Sequence, residues 1–446
     1  MGVVIFGFSM LNSGDDQSNQ PTTEKTEKAD AKQATTDIAD SLNANELARI
    51  KTIVRQYGKP DGDKMVLTND NVSFTIASDS LTGSVMMDGN MTVALSDLQH
   101  APSADNRLLY NAAMKKVRDA AENVAKYSDF VQFVGGGNKT VKLENELLTL
   151  DLSSKGGQIA KATLKKYNAF QHGKDGNCVL FDSKHNSYGF AINTDTHRFD
   201  TKEFNFTPVQ ENDSTVLMKL DFGKGVYFGI RYTLPKNSYL VRMEVVQQNM
   251  AVISSNVSTM DFEWSQKMMR HEKGQTFEER NSGVFYKFSG DNVENLSETS
   301  NDEDKTNNHL KWVAFKYQFF SCVLIADQHF IGAAPMKSAV IDKNSEEHND
   351  FLKDVSFNSS LEYNVNNPKP AAFNFFLGPN EYKLLSSFDD KISPDEDLEL
   401  TRLIPLGWSM FRWINTCIII PIFNFLGTMN LNYGIIILLL TIFIKL

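Results

Sequence analysis

Lys445, set at the end of an apolar run, is the most chemically pointed residue of this 446-residue sequence. Residues 435–444 are all apolar except Thr441. A cation carried on such a segment is expensive in hydrocarbon and marks a functional position by default. If the run enters a bilayer as a helix near Asn432, Lys445 lies thirteen residues on. That is about 20 Å deep at about 1.5 Å per residue, past the midplane of a hydrocarbon core about 30 Å thick. Thr441 precedes Lys445 by four residues and shares its helix face. An ammonium and a hydroxyl along one stripe would wet a groove within a helix bundle, and the ammonium would attract acidic segments. The simpler alternative is a lysine that snorkels to the far interface. A complete crossing takes about 20 apolar residues, so residues 432–446 read as the start of a span.

Other candidate chemistry fails on spacing. Gly135-Gly136-Gly137-Asn138-Lys139-Thr140 approaches a phosphate loop, but Asn138 stands where a glycine is required, so a glycine-rich hinge is expected instead. His271-Glu272 lacks the second histidine of a zinc-protease helix. Asp291, Glu294 and Glu298 lack the glycine of a calcium loop and are expected to form a solvated face. No Gly-x-Ser-x-Gly elbow occurs. Cys178, Cys322 and Cys417 are far apart, without metal-ligand spacing. One Cys178–Cys322 bridge is open to an oxidising compartment, and three small core thiols are the expectation. The 45 Lys and Arg against 55 Asp and Glu give a net charge of −10, which argues against nucleic-acid binding. The sequence therefore points away from an enzyme, and no cofactor or metal is expected.

The elements that must position Lys445 follow from patterning. Residues 1–11 are apolar but too short to span, and read as the tail of a membrane anchor, with a buried strand as the alternative. Residues 12–40 hold no aromatic and one large aliphatic, Ile38, so they read as a disordered, charged linker. Residues 41–135 read as a small mixed α/β region. It has a helix over 46–57, strands over 72–76 and 91–95, and a helix capped by Ser103 and running to about Tyr127. The second helix carries the stripe Leu109, Ala113, Val117, Ala121 and Val124. Packing against the main domain is the expected role of this region. Residues 139–390 read as β-rich. Strands are expected over 141–152, 215–222, 226–234 and 239–248, and more continuously apolar ones over 315–324 and 371–377. Two packed sheets suit this composition, with the 31 phenylalanines supplying much of the core. Residues 403–427 carry Phe411, Ile414, Ile418, Ile422 and Phe425 at spacings of three and four. With Trp408 at its start, this segment is expected to lie as an amphipathic helix in the membrane interface. Pro421 is expected to kink or end it.

Asn432-Tyr433-Gly434, the aliphatic run, Thr441 and Lys445 resemble the second transmembrane helix of the YidC/Oxa family of membrane protein insertases. Gly407-Trp408 with Phe411, Ile414 and Ile418 is similar to the family's interfacial helix. Leu152-Ser153-Ser154-Lys155-Gly156-Gly157, Trp312-Val313-Ala314, Gln318-Phe319-Phe320 and Leu377-Gly378-Pro379 resemble landmarks of its large periplasmic domain. The resemblance covers about residues 139–446. It implies a periplasmic β-supersandwich, an N-terminal anchor in the bacterial inner membrane, and further membrane helices beyond those read here. It also implies a non-enzymatic insertase and chaperone acting through a hydrophilic groove that holds Lys445 and Thr441. Nascent membrane proteins and the lipid bilayer would be its partners, with the Sec translocon and the ribosome as further candidates. The family's groove residue is most often Arg, and Lys445 supplies a point charge without the planar fork. A membrane-anchored carbohydrate-binding or sugar-epimerising β-sandwich is the competing reading.

Overall fold

The computed structural model describes residues 41–445, apart from 70, 89, 90, 172, 195, 196, 255, 256, 333, 408 and 430. The apolar stub 1–11, the linker 12–40, Trp408 and Leu446 lie outside the described residues. The small region is a five-stranded antiparallel sheet of sequential strands, packed against the helices Ala44–Tyr57 and Arg107–Tyr127. The first helix starts with a reciprocal cap: Asn43 Oδ1 accepts from Glu46 N–H at 2.9 Å, and Glu46 accepts from Asn43 N–H at 2.8 Å. Ser103 makes no such bond, because a 3₁₀ turn over Ala104–Asn106 displaces the second helix start to Arg107. The expected stripe holds. Ala113, Val117, Ala121 and Val124 are buried, and Leu109 is half-buried.

The main mass is mainly β. A nine-stranded antiparallel sheet has Leu240–Gln248, Ala371–Pro379 and Phe320–Phe330 at its centre. A six-stranded sheet has Thr259–Met269 and Phe351–Glu362 at its centre. The two lie face to face. Alternate residues of Thr259–Met269 point inward, so Phe262 meets Phe373 at 6.0 Å and Trp264 meets Phe315 at 3.8 Å between ring centroids. A separate four-stranded antiparallel sheet is formed by residues 140–182. Three sheets are tied through buried hydroxyls. Tyr188 accepts from Ile159 N–H at 2.8 Å, its hydroxyl lies 2.8 Å from that of Tyr232, and Tyr232 donates to Gly157 C=O at 2.8 Å. Gly157 has φ +60°, and a Cβ there would meet the Phe206 ring at 2.9 Å, so the Gly156-Gly157 turn admits no side chain at its second position.

Four expectations change. Residues 141–152 are two strands, Thr140–Glu144 and Leu148–Ser153, because Asn145 Oδ1 accepts from Leu147 and Leu148 N–H, both at 2.8 Å, and folds the chain back. Residues 315–324 likewise contain a turn between Leu310–Lys316 and Phe320–Phe330. A distant residue, Asn380, donates to the carbonyls of Tyr317 and Phe320 and satisfies it. Glu298 does not lie on a solvated face, since it pairs with the buried Lys316 at 2.7 Å. Cys178 and Cys322 are buried free thiols, whereas Cys417 is exposed on a helix. At the expected hinge, Gly135 and Gly136 take φ of +86° and +83°. The segment before them is fastened to the sandwich by Phe130, 4.5 Å from Phe199 and 5.1 Å from Phe204 between centroids, and by Asn205 N–H to Phe133 C=O at 2.7 Å.

Lys316 is 2 % exposed, and burial holds its pKa below the usual lysine range against the pull of Glu298. Removing Glu298 strands a fully buried ammonium, whereas removing Lys316 strands only a carboxylate that is 28% exposed and can be hydrated. We expect Glu298→Ala to destabilise the sandwich by about 2–3 kcal/mol, the buried-pair scale reduced for the partial exposure of Glu298. Lys316→Met should stay within about 1 kcal/mol of the native chain. Denaturant melts of both variants check this, and equal losses would show that packing alone sets the site.

Candidate functional site

The route from the sandwich to Lys445 begins at a buried anchor. Trp312 Nε1–H donates to Leu398 C=O at 2.8 Å, and Leu398, Leu400 and Leu403 are buried. Glu396 sits 4.0 Å from Lys287 and 3.8 Å from Lys311. From this anchor the chain turns through Gly407, at φ +82°, into a helix. The helix runs as Ser409–Ile414, a π turn over Asn415–Ile419, and Ile420–Thr428. Pro421 neither ends nor breaks it. The ring removes one N–H from the ladder, and the widened π turn lies immediately before it. Asn415 donates to Leu406 C=O at 3.1 Å, which fixes the first turns against the preceding loop.

Residues 410–428 are long and apolar enough to cross a membrane, by length and composition. Of the stripe expected to face lipid, Phe411 and Phe425 are exposed, and Ile414, Ile418 and Ile422 are half-buried. Trp408 falls outside the described residues. A second helix, Tyr433–Lys445, packs back on the Ile420–Thr428 part of the first. Phe423 and Tyr433 stack at 6.0 Å and 8°.

The Asn-Tyr-Gly sequence now has a physical role at each position. Asn432 Oδ1 accepts from Gly434 N–H at 2.8 Å, and its carbonyl accepts from Ile435 and Ile436 N–H at 2.9 and 3.1 Å. This makes it the cap of the second helix. Tyr433 supplies the stack, and a Cβ on Gly434 would crowd Asn432 Oδ1 at 3.2 Å.

Ile436 and Leu440 are the buried residues of that helix. Thr441 and Lys445 are exposed and share a face turned away from them by more than a quarter turn, at 3.6 residues per turn. The Thr441 hydroxyl donates to Ile437 C=O at 2.7 Å, so its proton is satisfied within the helix and its lone pairs face outward. Among the described residues no carboxylate pairs with Lys445. The two polar residues are thus brought to one side of the helical hairpin, which leaves that side to whatever packs there.

The sequence reading passed over a second feature. A cleft of about 530 Å³ opens where the helix Tyr382–Ile392, the segment 397–402 and the first turns of the 409–428 helix meet. Asp389, Asp397, Arg402 and Arg412 line it. Burial pushes the Asp389 carboxyl up to about 6, and the nearby Asp397 and Asp390 add to this against the Leu398 N–H that it accepts at 2.8 Å. The acidic run from Asp389 to Asp397 was the available signal. Its convergence with Arg412 was not, because the two come from different elements.

The profile of the YidC periplasmic domain matches residues 140–421. The chain belongs to the YidC family. It is 37% identical over 306 residues to a membrane protein insertase YidC of Parabacteroides distasonis, covering 68% of this chain and 47% of that protein. To that of Azobacteroides pseudotrichonymphae it is 37% identical over 322 residues, covering 72% and 51%. To that of Porphyromonas gingivalis it is 33% identical over 349 residues, covering 77% and 54%. The chain spans about half the length of these YidC relatives. Among solved structures, a galactose mutarotase related enzyme from Lactobacillus acidophilus covers 54% of this chain and 97% of its own. The identity is 9% and the TM-score 0.32, a likeness too slight to favour the carbohydrate reading. The region matched to the YidC periplasmic domain takes in the sandwich, the Leu398 anchor and the helix as far as Pro421.

A carboxyl whose folded pKa lies above its unfolded value binds more protons folded than unfolded between the two. Its contribution to stability is present at low pH and is lost as pH rises through about 6. Asp389→Asn should therefore leave stability unchanged near pH 4 and raise it increasingly up to about pH 6, then hold a constant gain. Paired thermal melts of native chain and variant from pH 4 to pH 8 measure this difference, and a constant offset throughout would mean that Asp389 titrates normally.

Proposed function

We propose that this chain is the periplasmic and first membrane-embedded part of a bacterial inner-membrane insertase. Its hydrophilic groove is lined by Lys445 and Thr441. The observation that carries this reading is their placement: both are exposed on the helix face that the neighbouring helix leaves open. In hydrocarbon such a face requires protein or water against it, and further membrane helices of a multi-pass protein would supply the walls. Membership of the YidC family, and the name membrane protein insertase borne by its relatives, support the same reading.

The proposed mechanism breaks no covalent bond. Lys445 attracts polar and acidic segments of nascent membrane proteins into the wet groove, which shortens the hydrocarbon they must cross. Outward lone pairs of Thr441 accept hydrogen bonds from the same segments. The 409–428 helix lies in the interface, with Phe411, Ile414, Ile418, Ile422 and Phe425 toward lipid, and holds the sandwich at the membrane surface. The Sec translocon and the ribosome are proposed as partners that deliver clients.

In the full-length protein, Lys445→Arg should preserve insertion, because charge and reach are kept. Lys445→Ala should impair it, most for clients with acidic translocated segments, and Lys445→Glu should be worst through like-charge repulsion at low dielectric. Thr441→Ala should be milder, on the order of 1 kcal/mol or less. Insertion assays with neutral and acidic clients check the order, and full activity of the Glu variant would make Lys445 a snorkelling anchor.

The orientation of the 409–428 helix is separately measurable with nitroxide labels along it, Cys417 being an exposed native site. A shallow, periodic depth profile is expected. A steady increase in depth would show that the helix crosses.

A further inference from the structure

The cleft at the junction of sandwich and membrane helix carries opposite charges at two poles. At one pole Asp389 and Asp397 stand together, and among the described residues no basic side chain pairs with either. Asp389 accepts the Leu398 N–H and shares a side-chain hydrogen bond with Asp397, which accepts the Glu399 N–H at 2.9 Å. At the other pole are Arg402 and Arg412, with the single carboxylate of Glu399 also in the lining, so that two guanidiniums face one acid there. Arg402 reaches Glu399 no closer than 3.7 Å. Arg412, half-buried, has no carboxylate partner among the described residues and reaches a single carbonyl, that of Thr401, at 3.5 Å. Two guanidiniums facing one cleft repel each other and are settled by an anion with several oxygens, for which their planar forks are suited. A carboxylate pair that holds a raised pKa is settled in the same way by an ammonium.

The position of the cleft narrows the ligand. It opens at the first turns of an apolar helix, beside Trp413, which is 60 % exposed. Tryptophan at such a place belongs to the headgroup layer of a bilayer. A group that bears a phosphate and an ammonium on one short arm is abundant there. We propose that the cleft binds the headgroup of a primary-amine phospholipid of the phosphatidylethanolamine class, with its phosphate on Arg402 and Arg412 and its ammonium on Asp389 and Asp397. A choline headgroup has the same charges but no N–H to donate, so it forfeits the hydrogen bonds to the acidic pole. A glycerol headgroup has no cation, and a serine headgroup brings a carboxylate against Asp389 and Asp397. This site goes beyond the proposed insertase groove and stands whether or not Lys445 acts on clients. It would fix the angle at which the sandwich leaves the membrane.

The test is lipid competition on the full chain in detergent, read by native mass spectrometry. Phosphatidylethanolamine, phosphatidylcholine and phosphatidylglycerol of identical acyl chains serve as probes. Phosphatidylethanolamine should be retained about tenfold over phosphatidylcholine, the scale of one charged hydrogen bond. Asp389→Asn and Asp397→Asn keep an oxygen for the backbone N–H and should each bring that ratio close to one. Combining Arg402→Gln with Arg412→Gln should remove specific retention of both lipids. Equal retention of the ethanolamine and choline lipids by the native chain would overturn the proposal, and so would a preference for phosphatidylglycerol. Discrimination that survives both Asn substitutions would also overturn it.

Discussion

One buried hydrogen bond, from Trp312 to the carbonyl of Leu398, fixes where the chain leaves the sandwich for the apolar helices of residues 409–445. Trp312 sits in the interior of the nine-stranded sheet and is fully buried, so its indole N–H needs a partner there. Leu398 supplies it by lying against the sheet, and Leu400 and Leu403 follow it into the core. Glu396, set between Lys287 and Lys311, closes the other side of the same segment. The chain therefore leaves the sandwich at a fixed point and direction, a few residues before the 409–428 helix. A flexible tether would have carried the same helices without orienting them.

The two halves joined there obey opposite rules for apolar surface. In the sandwich, phenylalanines face inward between two sheets, and some of the polar groups that enter with them are satisfied by one another or by backbone carbonyls. The Tyr188–Tyr232 contact and the Asn380 bonds to the 317–320 turn are such cases. In the hairpin of residues 409–445 the apolar side chains face outward. Among the described residues the exposed large hydrophobics concentrate there, from Met410 to Ile444. Surface of that extent is not left to water and marks contact with membrane or protein. Lys445 and Thr441 are polar where their surroundings are apolar, and the acid and arginine poles of the junction cleft lie where the two regimes meet.

Much of this was legible in the sequence because it rests on short-range patterns. The apolar run, the Thr441–Lys445 spacing and the alternation of residues 215–248 each follow from helix or strand periodicity, which a linear pattern records. The Asn432-Tyr433-Gly434 signal was legible as a resemblance, and the cap and stack give it a physical cause. Boundaries failed where a side chain closed a turn inside an apolar run, Asn145 from within it and Asn380 from a distance. The apolar continuity of 315–324 concealed the fold-back that Asn380 stabilises, and Glu298 read as solvated because its partner Lys316 lies across the sheet.

By itself the sequence determined the mainly β class, the apolar character of residues 409–445 and the identity of the polar pair at Thr441 and Lys445. Only the tertiary structure decided that Asp389, Asp397, Arg402 and Arg412 line one cleft, that Glu298 belongs to a buried pair, and that the neighbouring helix covers Ile436 and Leu440 but not Lys445. Periodicity fixes which residues share a face of one element. Which face is covered, and by what, depends on contacts between elements far apart in the chain.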